Sequence, residues 1–146
     1  MFNIEVGYPS FEEEMQIVKN TTSDYRAEVN NVLNAEEIVK IQELIRRIPV
    51  ADNVLEYAVH LATSTRPFEK GASEMVKKYL SWGAGPRASQ NLVLGAKAHA
   101  AIKGKYSPDI EDVREVAHAI LKHRIVRNYK AEAEGVKEEH IVQDLF

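Results

Sequence analysis

Asp109-Ile110-Glu111-Asp112-Val113-Arg114-Glu115-Val116-Ala117-His118-Ala119-Ile120-Leu121 carries the clearest periodicity in the chain. Val113, Val116, Ala117, Ile120 and Leu121 follow one another at i, i+3, i+4, i+7 and i+8, the repeat of a helix with one apolar face, and Asp109 and Asp112 bracket its start. A face of that kind must pack on others like it. Upstream, Pro86 is placed to open a long helix through Leu92, Val93, Ala96 and Ile102, stopped at Gly104. Ser73 with Met75, Val76, Tyr79 and Leu80 supports a shorter helix. Asp52 can cap another, with Leu55, Ala58, Val59 and Ala62 as its stripe, up to Arg66-Pro67. Asn34 and Glu37 form a capping-box pattern before Ile38, Ile41, Leu44, Ile45 and Ile48, and Pro49 ends that helix.

Nearer the N-terminus, residues 21–34 are polar and Asn-rich, which predicts a loop. Before it, Pro9 suits a first helical turn, Glu12, Glu13 and Glu14 sit at the positive end of the macrodipole, and Phe11, Met15 and Val18 share a face that ends near Asn20. Met1 to Tyr8 alternates Phe2, Ile4 and Val6 with Asn3, Glu5 and Gly7, as a half-buried strand or its tail does. Such a strand has no partner in a helical chain. Downstream, Gly135 precedes a last short helix with Ile141, Val142 and Leu145 as its apolar face. The fold class that results is all-α, a bundle of about five to six helices with one N-terminal extended segment.

A chain of 146 residues is one domain's length and buries about 68% of its unfolded surface on folding, enough for a core of its own. With 45% hydrophobic and 28% charged residues, the composition is that of a globular protein. There is no cysteine, which removes thiolate nucleophiles and Cys-based zinc sites and matches a reducing compartment; the cytoplasm is the expected location. No signal peptide and no run of apolar residues long enough for a membrane span are present in the sequence given. The net charge of −3 is unevenly spread: residues 1–85 carry −4, residues 86–130 carry +5 and residues 131–146 carry −4. The basic middle segment either faces an anion or is a solvated helix surface balanced by acidic neighbours.

Several chemistries are excluded. No Gly-rich phosphate loop with its Lys and hydroxyl occurs; Lys103-Gly104-Lys105-Tyr106 lacks both the upstream Gly and the Ser/Thr, so this chain alone is not expected to hydrolyse a nucleotide. His118 and His123 are five apart, about 140° around a helix, and do not form a metal pair. No metal site is expected. Gly83-Ala84-Gly85-Pro86-Arg87-Ala88 is different: a loop runs into a helix whose first turn carries an Arg, where the macrodipole disfavours a cation by about 0.3–1 kcal/mol. Either a nearby carboxylate or solvent accommodates Arg87, or its guanidinium takes a phosphate in place of the amide that Pro86 removes.

At these residues the chain resembles a known family. Gly83-Ala84-Gly85-Pro86-Arg87-Ala88, Ala96-Lys97-Ala98 with Ala100, Gly104-Lys105-Tyr106 with Pro108 and Asp112-Val113, and Leu121-Lys122-His123-Arg124-Ile125 resemble, in letters and spacing, the carboxy-terminal part of MoxR-family AAA+ ATPases. Tyr8-Pro9-Ser10, Val50-Ala51-Asp52 and Thr65-Arg66-Pro67 also look like family landmarks. The resemblance implies a helical lid (residues 9–146) following an αβα nucleotide-binding core, with residues 1–8 the residual strand or linker from that core and Met1 an internal position of a longer chain. It implies that Arg87 is the second-sensor arginine, reaching the nucleotide γ-phosphate, with Gly83 and Pro86 shaping the nucleotide-facing turn. It further implies ATP and Mg²⁺ as cofactors of the whole protein, assembly as a ring, typically a hexamer, and remodelling or maturation of partner proteins, von Willebrand factor A-domain proteins among them. Gly85 departs from the family's usual Ser and so lacks a cap hydroxyl, and residues 107–112 form a loop one residue longer than usual. For Arg66, His123 and Arg124 the expectation is salt bridging or capping. The competing classes are a helical nucleic-acid-binding module built on residues 86–130, which has only Tyr106 and Tyr129 as aromatics, and a stand-alone protein-interaction bundle.

Overall fold

The computed structural model describes residues 1–24 and 28–146, so part of the loop predicted at 21–34 lies outside the described residues. Eight α-helices are found among them: α1 (Phe11–Thr21), α2 (Ala35–Arg47), α3 (Asp52–Ser64), α4 (Glu74–Tyr79), α5 (Pro86–Ile102), α6 (Ile110–Leu121), α7 (Tyr129–Ala133) and α8 (Glu138–Gln143). A two-stranded antiparallel ladder, β1 (Leu80–Trp82) with β2 (Val126–Arg127), ties the segment after α4 to the segment after α6.

The helix starts follow their side chains. Ser10 with Glu13, Asn34 with Glu37 and Asp109 with Asp112 each close a reciprocal capping box, satisfying two amides that a helix end leaves free. Pro9 therefore lies just outside α1, not in its first turn. Asp52 does not cap α3: Ala51 holds the N-cap without a side-chain bond, and Asp52 is the acid of the first turn. Gly104 and Gly135 adopt positive φ (73° and 68°) where α5 and α7 hand over to the next segment, a conformation open to Gly at little steric cost.

The core is built on α5 and α6. Ala88, Leu92, Gly95, Ala96 and Ala100 line the inner face of α5, and the small residues among them let Val113, Val116, Ala117, Ile120 and Leu121 of α6 come close. Helix α3 packs across both through Val54, Ala58, Leu61 and Ala62, while α8 adds Ile141 and Val142 against α6. The α3 face is thus rotated from the predicted one: Val54 and Leu61 turn inward and Leu55 and Val59 outward. Both sets repeat at helical spacing, so periodicity alone does not choose between adjacent faces. Ile102 also lies outside the core, 84% exposed.

Neither α1 nor α2 buries a residue. Met1 to Tyr8 forms no strand; it runs irregularly beside the C-terminal end of α6, with the Asn3 N–H donating to the Ala119 carbonyl (2.8 Å) and Glu5 paired with Lys122 (2.6 Å). Among the described residues, no helix is long and apolar enough to cross a membrane.

Candidate functional site at the start of helix α5

The turn Gly83-Ala84-Gly85 delivers the chain into α5 and is held from one side by the end of α3. The Ala84 N–H donates to the Thr65 hydroxyl (2.8 Å), and the Arg66 Nε donates to the Ala84 carbonyl (3.0 Å). Gly83 is pressed against the same two residues: a Cβ there would lie 2.4 Å from the Thr65 carbonyl oxygen and 2.6 Å from the Arg66 Cα. Gly is required at 83 for space. Gly85 is the N-cap with φ −82°, has open space around it and makes no side-chain cap, as the missing Ser implied. Pro86 occupies the first helical position, and the buried Ala88 anchors the turn from inside, its N–H bonded to the Gly85 carbonyl (2.9 Å).

Arg87 projects from this first turn and is exposed. Among the described residues it makes no hydrogen bond and no ion pair. The other helices of comparable length show the opposite electrostatics: α1, α2, α3 and α6 all carry carboxylates in their first turn, whereas α5 has none there. The nearest charge effect is repulsive. Partial burial and then the like charge of Arg87 push the Arg124 guanidinium below its ordinary value, and burial followed by Arg124 does the same to the His123 imidazole. Arg124 itself has a structural task, donating to the Ile120 carbonyl at the end of α6 and to the Met1 carbonyl (3.2 Å), in line with the capping expected of it. Arg66 likewise pairs with Glu69 (3.7 Å).

Beside Arg87 a groove of about 660 Å³ runs between α2, α3 and α5, lined by Arg46, Leu55, Val59, Arg87, Asn91 and Val93. The outward turn of Leu55 and Val59 places their apolar surface here. Of the residues predicted for the site, Arg87 is presented to the outside, Pro86 sets the helix start, and Gly83 faces inward onto α3. Thr65 was visible in the sequence only as part of a family landmark; its contact with Ala84 spans 19 positions and has no local signature.

Residues 72–145 match the AAA lid domain family, and the chain belongs to it. Chaperone MoxR1 of Mycobacterium tuberculosis is 31% identical over 147 aligned residues, covering 97% of this chain and 37% of that protein. The uncharacterized protein YeaC of Bacillus subtilis is 25% identical, covering all of this chain and 43% of YeaC. A crystal structure of a candidate ATPase from Cytophaga hutchinsonii matches with a TM-score of 0.85 and 31% identity over 99% of this chain and 44% of that one. The chain spans less than half the length of each of these relatives, and in MoxR1 and the candidate ATPase the region it matches is the C-terminal part. Residues 72–145 are thus an AAA lid domain, and the chain as a whole is similar to part of a MoxR chaperone and of a candidate ATPase.

Proposed function

We propose that this lid serves an ATP-hydrolysing protein by presenting Arg87 to the γ-phosphate of a nucleotide held by an αβα core. The observation that carries the reading is Arg87 itself: a cation in the first turn of a 17-residue helix, exposed, without a carboxylate partner among the described residues, and with a charge that, after burial, holds the Arg124 guanidinium below its ordinary value. A helix dipole and a like charge both oppose it there, and a phosphate would relieve both. The guanidinium supplies several planar donors to phosphate oxygens, and charge that grows on those oxygens during transfer is stabilised by a pre-placed cation.

The described residues contain no group of three or more His, Asp or Glu able to hold a metal ion, so the Mg²⁺ ligands of this scheme belong to the core. The exposed apolar residues of α1 and α2, among them Phe11 (75% exposed), Met15, Ile38 and Leu44 (62%), are assigned to contact with that core and with neighbouring subunits of a ring, and the whole assembly to remodelling partner proteins.

Arg87→Ala in the full-length protein tests the reading. Hydrolysis is expected to fall by about tenfold or more, while the thermal midpoint stays level or rises slightly because an unfavourable cation has left the helix start. Turnover equal to wild type in a folded Arg87→Ala protein would remove Arg87 from the mechanism.

A further inference from the structure

We propose that Thr65 and Arg66 are positioning residues for Arg87: they form a clip at the end of α3 that fixes where α5 begins and hence where the guanidinium points. The inference rests on the Arg87 reading above. Its basis is the single residue Ala84, whose backbone N–H and C=O are both taken by consecutive side chains from the end of α3. Thr65 is fully buried, and its hydroxyl is oriented by donating to the Ala62 carbonyl (2.6 Å), which leaves a lone pair for the Ala84 N–H (2.8 Å). Arg66 grips the other side through its Nε on the Ala84 carbonyl (3.0 Å), and Glu69 draws its NH1 end outward (3.7 Å). Gly83 closes the contact by backbone touching backbone.

Only Gly85 and Pro86 separate the clipped Ala84 from Arg87. Pro86 has a fixed φ, and Ala88 on the far side is fully buried, so the Arg87 backbone has little slack. Among the described residues, the side chain of Arg87 has no partner of its own to orient it. Its approach direction is set from below, by α3, and a shift of about 1 Å in a charge that must meet a reacting phosphate is enough to cost up to a hundredfold in rate.

The experiment measures kcat and KM for ATP hydrolysis by the full-length protein with Thr65→Val, Thr65→Ser and Arg66→Ala, each alone and combined with Arg87→Ala. Thr65→Val and Arg66→Ala are expected to lower kcat about tenfold, whereas Thr65→Ser, which keeps the hydroxyl, restores the wild-type rate. On the Arg87→Ala background the same changes are expected to cost nothing further, because the group they aim is gone. Should Thr65→Val fail to fold, as read by its melting curve, Arg66→Ala decides, since that side chain is partly solvent-exposed. Wild-type kcat in a folded clip variant, or losses that multiply those of Arg87→Ala, would overturn the clip while leaving the Arg87 reading intact. A wild-type rate for Arg87→Ala alone would overturn both.

Discussion

Arg87 and Asp112 are two charged side chains in helix first turns with opposite surroundings. Asp112 is fully buried, accepts from the Asp109 N–H (2.9 Å), and meets His99 Nδ1 (2.8 Å) and the Lys105 ammonium (3.0 Å). Burial pushes its carboxyl up, but the Asp109 amide, His99 and Lys105 outweigh that and hold it at about 2. Because this lies below the ordinary carboxylate value, Asp112 contributes stability that is complete above about pH 4 and is lost as the pH falls towards 2. Asp112→Ala is expected to cost about 1–2 kcal/mol at pH 7 in urea unfolding, since it opens the capping box and removes the acceptor shared by His99 and Lys105. The deficit should shrink as the same measurement is taken down to pH 3. In the sequence Asp112 stands out only as one of two acids that bracket a helix start and as part of a family motif. Its pairing with His99 and Lys105 depends on how the loop after α5 folds back, which no local spacing encodes.

At the scale of the element, the start of α5 combines two glycines with different reasons. Gly83→Ala would push a Cβ into the Thr65 carbonyl, a backbone atom with nowhere to move, and is expected to destabilise the fold by about 2 kcal/mol. Gly85→Ser meets open space at an ordinary φ and adds a cap hydroxyl, so a gain of about 0.5 kcal/mol is expected. Thermal melting of the two variants separates the roles. Long helices with capping boxes were legible in advance: Asn34 with Glu37 and Asp109 with Asp112 announce α2 and α6 through chemistry confined to four residues. The β1–β2 ladder and α7 were not. Three and two residues are too few to show alternation, and α7 is a five-residue polar stretch whose Asn128 cap stands within a basic run. The candidate site was legible as far as Arg87 and its turn. The clip beneath it was not, because Thr65 and Arg66 meet Ala84 only once α3 and α5 have packed.

In the whole molecule, one half is a closed core and the other is open. Helices α3 to α8 bury their apolar faces against one another, while α1 and α2 keep theirs exposed despite well-formed caps. That division fits a lid whose open side meets another body, and it puts Arg87 and the groove beside it on α5 between α2 and α3. The matched relatives are more than twice as long as this chain, which gives room for such a body. If the lid reads the nucleotide through Arg87, the start of α5 must respond to the γ-phosphate. The most direct test is amide hydrogen exchange across residues 83–90 of the full-length protein, bound either to ADP or to a non-hydrolysable ATP analogue with Mg²⁺. Slower exchange with the analogue in wild type, abolished by Arg87→Ala, is the expected result. Identical exchange in the two nucleotide states would contradict the account.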